Sequence, residues 1–180
     1  MKTLRRMVTH TNFKTWGLAS LLGGLVLTAL MPAIAQAQCS SETIFGTYAF
    51  RISGVIYGPG GKLIQRDGVA LTRFDGVGGL TQEDFVMSQG TPLPGHPAPD
   101  GFHDREWGTY VVSLDCTGSA VINFPAPPGG ASGAVINLMF VIGHHGETIH
   151  TIVSQVTPPG SSTPMPANIH SDAERVDMGD

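Results

Sequence analysis

The sequence carries none of the compact catalytic signatures that can be read from a single chain. It has no Gly-x-Ser-x-Gly nucleophile elbow, no phosphate-binding P-loop, no dinucleotide glycine fingerprint and no His-Glu-x-x-His zinc motif. These absences weigh against serine hydrolases and nucleotide-dependent enzymes. They leave room for a protein that holds a reactive molecule in a productive shape with one or two polar groups. Cations are few: ten Lys and Arg stand against fourteen Asp and Glu. An acidic chain is a poor partner for nucleic acid or for an anionic membrane surface. No segment shows a convincing 3.6-residue apolar period, which argues against a helical or α/β domain. Cysteine is limited to Cys39 and Cys116.

A long apolar run occurs near the start, from Leu18 to Leu30. Lys2, Arg5, Arg6 and Lys14 precede it, and Ala33-Ile34-Ala35 or Ala35-Gln36-Ala37 offers small residues for cleavage after it. The arrangement predicts an export signal over residues 1–37. The run is short for a membrane span and is interrupted by Gly23-Gly24 and ended by Pro32, so no stable membrane insertion is expected after cleavage. Residues 38–180 would then form one domain with a single core. Six basic and fourteen acidic residues remain in it, a net charge of −8. A secreted or periplasmic location follows, and there disulfides persist. Cys39 and Cys116 are therefore expected to be bonded, a closure worth about 4 kcal/mol in the chain-entropy account.

What the remaining chain has in quantity is strand signal. Gly46-Thr47-Tyr48-Ala49-Phe50-Arg51-Ile52-Ser53-Gly54 alternates polar with apolar side chains, and Gly108-Thr109-Tyr110-Val111-Val112-Ser113-Leu114 echoes it. Tyr57-Gly58-Pro59-Gly60-Gly61 and Asp75-Gly76 read as turns on either side of a strand from Leu63 to Phe74. Gly79 to Ser88, Ser119 to Phe124, Ala134 to Gly143 and Thr148 to Val156 supply further strands. Residues 89–106, rich in proline and glycine, predict a loop longer than the roughly 12–15 residues usual within a compact domain, and so a lid or an excursion. Residues 157–167 read as a Pro/Ser linker to a possible last strand over Asn168 to Val176. Seven or eight short strands with hairpin connections predict an all-β fold, a single antiparallel barrel of about eight strands, with a sandwich as the alternative. The barrel is preferred because closure removes exposed edges.

The Gly-Thr-Tyr strands and the Phe74-Asp75-Gly76-x-Gly78 hairpin resemble the calycin-like barrels, in particular the secreted relatives of the allene oxide cyclase and dirigent group, over about Gly46 to Val156. The resemblance implies a small barrel with an apolar lumen that binds, shapes or cyclises a hydrophobic molecule.

Three groups of residues are candidates for chemistry. Thr47, Arg51 and Ser53 form a polar face that ordinarily is the solvated outside; the functional version turns Arg51 or Arg73 into the lumen, paired with Asp84 or Glu83, with Tyr48 as a further polar group. The aromatic residues Tyr48, Phe50, Phe85, Trp107, Tyr110 and Phe140 supply either a ligand cavity or simply a core, with Trp107 at the mouth. His144, His145, Glu147 and His150 are the weak metal candidates, since a polar hairpin tip in solvent explains them better. No cofactor is expected, and the partner is a small hydrophobic molecule. Three functions follow: a binder of such a ligand, a cyclase or isomerase on the same barrel, or a structural module of the cell envelope with a filled core. Nothing in the residues sets the oligomeric state.

Overall fold

Strand alternation becomes inside and outside once the chain closes on itself. The computed structural model describes residues 38–93 and 100–177; the export signal predicted over 1–37 and residues 94–99 of the expected loop lie outside the described residues. The strands are β1 (Gly46–Tyr57), β2 (Leu63–Phe74), β3 (Gly79–Ser88), the short β4 (Thr91–Pro92), β5 (His103–Val112), β6 (Thr117–Asn123), β7 (Val135–Gly143), β8 (Thr148–Thr157) and β9 (Met165–Arg175). All pairings are antiparallel. β2 pairs with both β1 and β3, and β9 pairs with both β8 and β1, so eight strands form a closed barrel to which β4 adds a short extra strand.

Several boundaries differ from the sequence expectation: β1 continues to Tyr57, and Thr91–Pro92 pairs with β3 inside the expected loop. β5 begins at His103, so the last residues of the expected loop are ladder-forming. β9 begins at Met165 inside the expected Pro/Ser linker and is a wall of the barrel between β8 and β1. Pro166 is accommodated at an outward, exposed position beside a register shift between β8 and β9.

One end of the barrel is plugged. The single-turn 3-10 helix Ser41–Ile44 crosses it and drives the fully buried Ile44 into the core. Both repeat tyrosines serve this end. Tyr48 stacks edge-on against Phe74 and donates its hydroxyl to the Gly146 carbonyl. Tyr110 packs on the other side of Phe74, donates to the Ser41 carbonyl and accepts from the Gly76 amide. The repeated glycines have separate reasons. Gly46 has φ +130°, and a Cβ on Gly108 would stand 2.1 Å from the Val121 carbonyl oxygen. Arg175 fastens the plug by donating to the carbonyls of Phe45, Thr43 and Gly146 while lying 5.2 Å from the Tyr48 ring centre. Cys39 and Cys116 form the expected disulfide, which ties the start of the described chain to the β5–β6 turn.

The β2–β3 connection is the turn expected at Asp75-Gly76. Its Asp75 Oδ1 accepts from the amides of Val77, Gly78 and Gly79, which holds the carboxyl below its ordinary range.

Candidate functional site

At the end opposite the plug, the side chains that point inward leave a cavity of about 320 Å³. Its walls are mostly aliphatic and aromatic: Phe50, Ile122, Ile136, Leu138 and Phe140 are representative. Pro125, Pro127, Pro158 and Pro159 from the end loops also line it. Polar side chains gather chiefly on the wall made by β2, β3 and β5, where Thr72, Gln82, Asp84, His103 and Glu106 face the cavity. Thr151 and Ser171, hydrogen-bonded to each other, stand on β8 and β9.

The polar wall depends on a β-bulge. Gln82 pairs with Glu106, yet the next inward residue of β3, Asp84, pairs with His103 instead of Asp104. One extra residue on β5 is absorbed with Arg105 at φ +62°. Without it, His103 would point outward; with it, His103 and Glu106 share the inner face.

The contacts form a chain. The Thr72 hydroxyl donates to Gln82 Oε1 (2.8 Å), and Gln82 Nε2 donates to Glu106 Oε2 (2.8 Å). Glu106 Oε1 is buried with no donor directed at it, and the Glu106 carboxyl is hydrogen-bonded to that of Asp84. His103 Nδ1 lies 3.1 Å from Asp84 Oδ1, and its Nε2 lies 3.0 Å from the Leu93 carbonyl oxygen. A carbonyl only accepts, so Nε2 carries a hydrogen, and one proton is shared between Nδ1 and Asp84 Oδ1. One potential ligand atom from each of Asp84, His103 and Glu106 lies within 4.8 Å of the other two.

Burial dominates the electrostatics. Asp84 and Glu106 are 2% and 1% exposed. Loss of water raises the Glu106 carboxyl to about 9, with the Asp84 carboxylate contributing next, so Glu106 is neutral at pH 7. Asp84 is raised by the same burial, an effect that His103 opposes. Further toward the mouth, Arg66 points inward against the Ser88 hydroxyl, and burial lowers its pKa.

The predicted residues separate by strand parity. Asp84, Phe50 and Phe140 line the cavity. Tyr48 and Tyr110 are inward but belong to the packed plug end, away from the cavity lining. Arg51 and Arg73 are exposed on the outer face, as is Glu83, so the expected lumen pairing of Arg51 or Arg73 with an acid does not form. Trp107, expected at the mouth, is mid-strand between inward Glu106 and Gly108 and is 52% exposed. Phe85 is outward beside Phe102. The histidine cluster does not converge: His144 and His145 form an exposed turn, Glu147 lies near Arg175, and His150 meets Asp172 on the exterior at 2.6 Å. Among the described residues the grouping with metal-ligand spacing is Asp84, His103 and Glu106.

No family model matches the chain, and no curated protein matches it. Among solved structures, a putative AttH from Nitrosomonas europaea aligns at 11% identity with a TM-score of 0.35, over 73% of this chain and 51% of that one. The chain thus spans about half the length of that structure.

Proposed function

We propose that the barrel takes a small, predominantly apolar molecule into its lumen and directs a polar group of that molecule toward Asp84, His103 and Glu106. The observation that carries this is the cavity: about 320 Å³, apolar on most sides, with the inward acids confined to one wall. That volume lies at the lower end of the scale of small-molecule sites, about 300–1,000 Å³. A structural module with a filled core would have no use for such a space. The resemblance to the allene oxide cyclase and dirigent barrels agrees with this function in kind, at the level of a barrel and a hydrophobic ligand.

A secreted or periplasmic setting fits the disulfide, since such bonds persist outside the reducing cytosol. The barrel's interior is also unlike that of a membrane-spanning barrel, which is polar within. Here Arg51, Arg73, Glu83, Asp172 and Glu174 project outward while Phe50, Ile122 and Phe140 project inward.

A cyclase or isomerase is the second possibility, favoured by one observation: an imidazole beside two carboxyls in an apolar cavity is a set of groups able to move a proton at a bound substrate. Turnover of the bound molecule by wild-type protein and its loss in Asp84→Asn would separate catalyst from binder.

The test of lumen binding is Ala70→Leu, which places three more carbons at a lining position. Filling vacant space stabilises by up to about 2.4 kcal/mol at roughly 0.8 kcal/mol per buried carbon. Displacement of an apolar fluorescent probe should weaken at the same time. Destabilisation by about 1–3 kcal/mol, the usual cost of overpacking, with unchanged probe binding would reject a lumen site.

A further inference from the structure

We propose that Asp84, His103 and Glu106 form a binding site for one divalent transition-metal ion on the lumen wall. The donor atoms are already gathered, with one from each residue inside a 4.8 Å span. Asp84 Oδ1 and His103 Nδ1 are 3.1 Å apart. Two ligands about 2.1 Å from one ion and at right angles to each other stand about 3.0 Å apart, so that pair already has the spacing of neighbouring ligands.

The outer partners leave the correct atoms free. Metal-binding histidines characteristically donate the other ring N–H to a carbonyl or carboxylate, which fixes the tautomer. His103 does this through Nε2 to the Leu93 carbonyl, leaving Nδ1 toward the carboxyls. Glu106 is oriented in the same manner. Gln82 Nε2 occupies Oε2, and the Thr72 hydroxyl on Gln82 Oε1 sets which way that amide faces. Glu106 Oε1 is the atom left over, buried with no donor directed at it on a side chain that is 1% exposed, and the neutral Glu106 carboxyl shares its proton with the neighbouring Asp84. Once ionised, that carboxylate would be a buried charge, and a cation at that position would supply its partner.

Charge and donor type narrow the ion. Binding would release to solvent the Glu106 proton and the proton between His103 and Asp84; the two carboxylates and neutral imidazole then carry two negative charges, which a divalent cation balances. One nitrogen with two oxygens suits Zn²⁺, Mn²⁺, Fe²⁺ or Co²⁺ better than Ca²⁺, which takes about six to eight oxygens. Positions not filled by protein would face the cavity. The polar group of a lumen ligand could reach the ion there, and that last point alone rests on the proposed function.

The test uses mature protein treated with a chelator and then titrated with Co²⁺ alone, followed by visible absorption and calorimetry, without any organic ligand. One equivalent should bind and raise the melting temperature. Glu106→Gln, which keeps the side-chain volume, and His103→Ala should each weaken binding by about tenfold or more. His145→Ala and His150→Ala should leave it unchanged. Circular dichroism of each variant establishes folding, and Glu106→Gln decides the matter if His103→Ala does not fold. Absence of Co²⁺ binding by the wild type, or binding that survives Glu106→Gln and is removed by His150→Ala, overturns the site. Metal binding without uptake of an apolar probe would defeat the proposed function and leave the metal site standing; the converse would do the reverse.

Discussion

Replacing Glu106 with glutamine should make the metal-free protein more stable at neutral pH, by an amount that depends on pH in a defined direction. The folded carboxyl titrates near 9, against an ordinary value of 4.5. Its proton is therefore held by the folded state over a range in which the unfolded chain has released it. The contribution to stability is fully present below about pH 4.5, falls by about 1.4 kcal/mol for each pH unit above that, and is lost by about pH 9. At pH 7 the accumulated cost is about 3 kcal/mol, an upper figure because the neighbouring Asp84 shares the titration. The introduced amide would keep an acceptor for Gln82 Nε2 and offer an N–H to Asp84, so the exchange removes the titration without emptying the site. Urea unfolding in the presence of a chelator should show the variant more stable than wild type by about 2–3 kcal/mol near pH 7, with the difference shrinking toward zero near pH 5. A difference that is constant across this range, or a variant less stable than wild type at pH 8, would refute the placement of Glu106 as a buried neutral acid.

The plug and the turns give further expectations. Cys39→Ser removes a link across 77 residues and should cost about 4 kcal/mol, a fall in melting temperature of roughly 10 °C under non-reducing conditions; an unchanged melting temperature would contradict the bond. Arg175→Ala frees the carbonyls of Thr43, Phe45 and Gly146 and should destabilise by about 2–3 kcal/mol, with amide exchange of Phe45 accelerated most. Asp75→Ala removes the acceptor of three amides; because that carboxyl is held low, its contribution is present at neutral pH and lost as pH falls through the folded value, so the variant should be less stable at pH 7 and lose less than wild type on acidification.

Much of the barrel was legible because alternation and turn chemistry survive in the sequence. Tyr48, Phe50 and Ile52 face inward as their spacing from Thr47, Arg51 and Ser53 indicated, and Asp75-Gly76 turns where expected. The disulfide followed from having two cysteines. The polar wall was only half legible. Extending the alternation of the second Gly-Thr-Tyr strand back from Tyr110 through Gly108 reaches Glu106, but that residue was grouped with the proline-rich loop. His103 could not be found by parity at all, since the bulge at Asp104–Arg105 reverses it, and a bulge on two charged residues leaves no periodic trace. Trp107 and Phe85 misled for the opposite reason. Aromatic residues favour strands on either face, so their presence does not state which face is dry.

The central claim is that the lumen holds a small apolar molecule, and native mass spectrometry of the protein purified without unfolding from its own cells tests it most directly. The native mass should exceed the denatured mass by that of an organic molecule, and Ala70→Leu should lose the difference. A native mass equal to the denatured one, together with no uptake of an apolar probe by the wild type, would contradict the claim.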